Sequence, residues 1–87
     1  MNIRYHKRFL KNYSIRIEPN SKLKHQFKKR LNIFIIDPKN PLLKDNRLTG
    51  DLKEFRSFSI SGNIRLIYQI IGQDLLLYDI GTHNQVY

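Results

Sequence analysis

Hydrophobic and polar positions along this chain change period once, near its middle. Over His6 to about Arg16, Phe9, Tyr13 and Ile17 recur at i+4 with Leu10 beside them, the single apolar stripe of a short helix. Pro19 biases Glu18 out of the α region and ends it. A second stripe, Leu23, Phe27, Leu31, Phe34 and Ile35, predicts a longer helix with Asn20 or Ser21 as its cap and Pro38 as its stop. Ahead of both, Asn2–Tyr5 alternates as a short edge strand does. From Glu54 the pattern is that of strands. The runs Glu54–Ile60, Ile64–Ile71 and Asp74–Ile80 are rich in Ile, Leu, Tyr and Phe. Ser61-Gly62-Asn63 and Gly72-Gln73 separate them with residues that tolerate φ > 0 and suit tight hairpins. The pattern predicts an antiparallel meander with Ile64–Ile71 in the middle.

Two amphipathic helices followed by a meander define an α+β chain, with the two N-terminal helices packed on one face of a small twisted antiparallel sheet. Strict alternation places Leu66, Tyr68 and Ile70 on one face, and Arg65, Ile67 and Gln69 on the other. Phe58 and Ile60 oppose Ser57 and Ser59; Leu76, Tyr78 and Ile80 oppose Leu75, Leu77 and Asp79. The apolar face should meet the helices. The mixed face should form an open groove in which exposed Ile67, Leu75 and Leu77 invite a protein lid, such as an acidic amphipathic helix.

Length and composition narrow this picture. Eighty-seven residues make one domain, 1–87, with a modest core. The absence of cysteine removes disulfides and thiolate metal sites. No apolar run has the length of a membrane span, and the first residues lack a signal peptide's apolar stretch, so the expected location is the cytoplasm. The formal charge of +9 is uneven: residues 1–36 hold ten Lys or Arg against one acid, Glu18, whereas residues 37–87 hold six of each sign. A basic helical layer on a neutral sheet points to a polyanionic partner, nucleic acid before membrane. A merely soluble basic surface, or an acidic protein partner, would present the same field.

The run LLKDNRLTGDLKEFRSFSISGNIRLIYQI, followed by GTHNQVY at the end, resembles the RelE/ParE superfamily of bacterial toxins, and within it the YafQ-like branch. Leu48-Thr49-Gly50, Arg65-Leu66-Ile67-Tyr68 and the terminal Gly-Thr-His-x-x-x-aromatic carry the resemblance most specifically, and it extends from Ile3 to Tyr87. It implies a RelE-like fold, a cytoplasmic ribonuclease that cuts mRNA in the ribosomal A site, and restraint by a cognate antitoxin. No metal, membrane or small-molecule cofactor is implied.

Residue by residue, the resemblance makes His83 the catalytic histidine and Tyr87 the terminal aromatic, able to stack on a base. Arg65 matches the arginine that faces the scissile phosphate. A histidine and an arginine at one phosphate can move protons and stabilise the extra charge of a pentavalent state. The plain alternative for Arg65 is a cross-strand ion pair with Asp79 or Glu54. Arg56, on the face of Phe58 and Ile60, reads as structural. Three positions depart from the branch: Asn46 stands for a histidine, Ser59 for a second histidine and Asn63 for an aspartate. They can hydrogen-bond RNA but cannot act as bases. Lys22, Lys24, Lys28, Lys29 and Arg30 are the candidate rRNA contacts, while His6 and His25 read as solvated. The competing functions are a ParE-like toxin that poisons DNA gyrase without cutting RNA, and a catalytically weakened antitoxin-binding module.

Overall fold

The computed structural model describes residues 1–87. Its first helix, α1, runs Lys7–Arg16; the His6 side chain caps it by accepting from Arg8 N. The second, α2, runs Ser21–Ile36 and is capped by Asn20, whose side chain accepts from Leu23 N. The predicted stripes face the core except at their flanking members, Leu10 and Ile35, which are 53% and 45% exposed because the i, i+4 rows of Phe9 and Phe27 take the buried side. Phe9, Ile17, Phe27 and Phe34 join Phe58, Ile60, Leu66, Tyr68, Leu75, Leu77 and Ile80 in one core, with Leu43 beneath the loop that leaves α2.

Five strands form one sheet in the order β1-β5-β4-β3-β2: β1 Asn2–Tyr5, β2 Asn46–Arg47, β3 Arg56–Ser61, β4 Ile64–Ile71 and β5 Asp74–Thr82. The predicted α+β arrangement is the observed one, with β4 at the centre. Two features change its detail. The sheet is mixed, because β1 pairs with β5 in parallel, from Asn2 opposite Asp74 to Tyr5 opposite Leu77. The chain also extends past the meander, as a single helical turn, α3, at His83–Val86. Packed against β4 and β5, α3 lies over the sheet face that α1 and α2 leave uncovered.

The faces of β5 also differ from strict alternation, which corrects the expected sticky groove. Ile67 pairs with Asp79 but Tyr68 pairs with Leu77, so Tyr78 is an extra residue in a β-bulge. The bulge resets the pleat, and Leu75 and Leu77 turn into the core beside Ile80. Ile67 does lie on the opposite face, outside that core, yet it too is fully buried. None of the three is available as a lid-binding surface. The most exposed large apolar side chains lie elsewhere, Ile36 at 83%, Met1 at 66% and Ile15 at 63%.

Arg56 is structural, as its position predicts. It pairs with Asp45 at 2.7 Å, and the Tyr68 hydroxyl donates to the same carboxylate. Burial, reinforced by Asp45, pushes the Tyr68 hydroxyl well above the ordinary tyrosine range, so it stays a donor.

A basic cleft at the C-terminal turn

Ser57 is the centre of the candidate site. It is fully buried on β3, on the face shared with Ser59, Arg65 and Ile67. Its hydroxyl accepts from Arg65 Nε at 2.9 Å and from the Tyr87 hydroxyl at 2.9 Å, and donates to Asn46 Oδ1 at 3.3 Å. One donor and two acceptor positions are the full capacity of a hydroxyl. A single small side chain thus ties together three residues that lie far apart in sequence.

Arg65 is held further by the Ser57 and Lys44 carbonyls, both accepting from Nη2, at 3.2 and 2.9 Å. Lys44 adopts φ 46, the only left-handed residue of the chain that is not glycine. Arg65 pairs with neither Asp79 nor Glu54, and no carboxylate lies within ion-pair distance of it. The guanidinium is therefore fixed in place with its charge uncompensated and its Nη1 edge unbonded. That is the arrangement of an anion site.

His83 opens α3, and its ring meets Tyr87 edge-on, with centroids 4.5 Å apart. Gln85 closes the turn by accepting from Thr82 N at 2.8 Å. The preceding glycine is dictated by packing: a Cβ at Gly81 would lie 2.7 Å from both Arg16 Nη1 and Gln85 Oε1. Both atoms are committed to hydrogen bonds, Arg16 to the Ile80 carbonyl at 2.9 Å. Gly81→Ala should therefore displace α3, costing about 1 kcal/mol of stability. Urea denaturation measures the cost, and a variant as stable as the parent would contradict this packing argument.

Arg65, His83 and Tyr87 open onto one cleft of about 790 Å³, whose walls are Arg8, Asn46, Arg47, Leu48, Thr49, Asp51, Leu52, Arg65, Tyr78, His83, Val86 and Tyr87. Of the predicted site, Arg65, His83, Tyr87 and Asn46 come together here. Ser59 sits opposite Arg65 on β3 but is only 7% exposed, and Asn63 projects at the β3–β4 turn; neither lines the cleft. Lys22, Lys24, Lys28 and Lys29 lie along α2, outside the cleft and without ion pairs. Arg30 is different: its Nη1 donates to the Leu42 and Ser59 carbonyls, at 2.8 and 3.1 Å, and so ties the loop to the sheet. His25 is exposed, whereas His6 is half-buried and its ring lies 4.9 Å from Tyr78. Sequence reasoning missed Ser57, Arg8, Arg47 and Tyr78. Only Arg47, adjoining Leu48-Thr49-Gly50, carried a signal that could have found it. No three His, Asp or Glu side chains converge in a way that could hold a metal ion, and no helix is long and apolar enough to cross a membrane.

Fold and cleft together define a small RelE-like α+β protein with an arginine-lined groove closed by a C-terminal His–Tyr turn. The chain belongs to the YafQ family, bacterial toxins of type II toxin–antitoxin systems, whose family model matches residues 1–87. Its fold is that of YafQ from E. coli BL21(DE3), with a TM-score of 0.84 and 20% identity over 99% of this chain and 97% of the other. A metal-bound toxin from Helicobacter pylori is 31% identical, with a TM-score of 0.79, over 100% of this chain and 99% of that one. In the E. coli DinJ–YafQ toxin–antitoxin complex, the matching chain is 21% identical, with a TM-score of 0.74 over 99% and 96% of the two chains. Among curated proteins no significant match is found.

Proposed function

We infer that the chain is a ribosome-dependent mRNA endoribonuclease, restrained by a cognate antitoxin protein. The observation that carries this reading is Arg65, locked by Ser57 and Lys44 with no carboxylate partner, in the same cleft as His83. The scissile phosphate sits against the Nη1 edge of Arg65. The 2′-oxygen attacks phosphorus as its proton leaves, and the bond to the 5′-oxygen breaks as that oxygen gains a proton. His83, the only imidazole lining the cleft, supplies one of these transfers, and water the other. Arg65 stabilises the added negative charge of the pentavalent state. The Tyr87 ring, fixed by its hydroxyl on Ser57 and by contact with His83, offers a face for a base.

The family description and the E. coli toxin–antitoxin complex support a protein antitoxin. With Ile67, Leu75 and Leu77 buried, that partner must use other surfaces. A purified sample should generate new mRNA ends on translating ribosomes and leave gyrase supercoiling unaffected. Gyrase inhibition without new RNA ends would favour the ParE-like function, and neither effect would favour a binding module.

The basic helices supply affinity for the ribosome. Lys24, Lys28 and Lys29 lie outside the cleft and have no ion-pair partner, so their charge is available to rRNA phosphates. Changing all three to Gln should weaken ribosome binding and flatten its dependence on log[salt] by about 2 units. An unchanged salt slope would contradict this.

A further inference from the structure

The wall of the cleft also carries an arginine that the cleavage chemistry above does not use. Arg8, in the first turn of α1, is gripped on two sides. Its Nε donates to Asp79 Oδ2 at 3.1 Å, and its guanidinium carbon lies 5.4 Å from the centroid of the Tyr78 ring. Tyr78 is itself fixed between His6 and Phe55, at centroid distances of 4.9 and 4.5 Å. Two consecutive residues of β5 can hold one side chain because the bulge at Tyr78 breaks the alternation there.

The grip leaves the working edge of Arg8 unbonded. Only Nε is used; neither Nη group bonds to the protein, and the side chain is 49% exposed on the cleft wall. Asp79 does not cancel the charge, because the same carboxylate also faces Arg16 at 3.6 Å, leaving two cations to one anion. Arg65 follows the same plan, anchored through Nε and Nη2 with Nη1 open. Two oriented guanidinium groups in a cleft of about 790 Å³ leave room for more than one phosphate.

We propose that Arg8 forms a second phosphate subsite, holding the phosphate adjacent to the one at Arg65 on the same RNA strand, with Asp79 and Tyr78 as its positioning residues. The inference rests on the RNA-cleaving reading of the cleft and extends it to substrate length: the productive ligand is a single strand with at least two successive phosphates.

The probe is a 2′-O-methyl tetranucleotide, which lacks the attacking hydroxyl and cannot be cut, titrated against the full chain over a range of salt. Arg8→Gln should lower its affinity about tenfold, the scale of one charge-assisted contact, and reduce the salt slope by about 0.7. Arg65→Gln should do the same, and the double variant should lose both. Tyr78→Leu keeps every charge, so it should weaken the tetranucleotide with the slope unchanged and leave a 2′-O-methyl dinucleotide, with its single phosphate, unaffected. If Arg65→Gln weakens binding while Arg8→Gln changes neither affinity nor slope, the second subsite is overturned and the cleavage reading stands. If neither substitution matters, both fall.

Discussion

His83→Ala and Arg65→Ala are each expected to cut ribosome-dependent mRNA cleavage by at least about a hundredfold while leaving the fold intact. His83 is exposed at the start of a single helical turn, so its removal takes away a proton donor or acceptor and little packing. Arg65 is different in kind. Its loss removes the charge that would meet the pentavalent phosphate, an effect of about 3–4 kcal/mol in comparable oxyanion sites. Ser57→Ala separates charge from placement. It removes neither guanidinium nor imidazole, yet it releases Tyr87 and Asn46 and takes the Nε anchor from Arg65, leaving that side chain only its two Nη2 bonds to carbonyls. A loss of about tenfold in that variant would mark Ser57 as a positioning residue, the scale of one hydrogen bond's worth of order. Cleavage assays with circular dichroism as the folding control decide each case; full activity in His83→Ala would contradict the assignment.

The second large effect is on stability. Asp79 is 1% exposed, and its carboxylate accepts from Asn12 at 2.7 Å, the Ile80 amide at 2.8 Å and Arg8 at 3.1 Å, with Arg16 beside it. Asp79→Ala leaves these donors without an acceptor at the junction of α1 and β5. Because Arg8 is half-exposed and can rehydrate, the cost should fall near the lower end for a broken buried pair, about 3 kcal/mol. For a domain this small that is a large share of the total. Asp79→Asn keeps the shape and part of the acceptor capacity and should cost less. Urea denaturation gives both values, and a loss below about 1 kcal/mol in Asp79→Ala would show that the network is not a keystone.

The sequence makes the architecture legible where one force decides. The stripes Phe9-Tyr13-Ile17 and Leu23-Phe27-Leu31-Phe34 have no other way to leave water, and Pro19 and Pro38 punctuate them. β4 is bounded as its run predicts, Ile64–Ile71, because Gly62 and Gly72 take φ of 52 and 60 at its two hairpins. What escaped was anything set by register. A period-two reading cannot anticipate the bulge at Tyr78, and so it placed Leu75 and Leu77 on the wrong face. The fate of Asp79 was hidden for the same reason: α1 approaches β5 only in three dimensions, and supplies Arg8, Asn12 and Arg16 to a carboxylate that Arg65 never reaches. In the candidate site, Arg65, His83 and Tyr87 stand out only through the resemblance of their motifs to the RelE/YafQ-like toxins. Ser57, whose hydroxyl joins Arg65 to Tyr87, looks in sequence like one polar residue of an alternating strand. Arg30 shows the converse, since a basic residue on a lysine-rich helix is spent on two backbone carbonyls.

The central claim is that Arg65 and His83 work on one RNA phosphate. The chemistry of the newly formed mRNA ends on translating ribosomes tests it most directly. Attack by the 2′-oxygen with departure of the 5′-oxygen predicts a 2′,3′-cyclic phosphate, or the 3′-phosphate from its opening, upstream of the cut and a 5′-hydroxyl downstream. These ends should vanish with His83→Ala and with Arg65→Ala. Ends carrying a 3′-hydroxyl and a 5′-phosphate, or cuts that persist in both variants, would contradict the account.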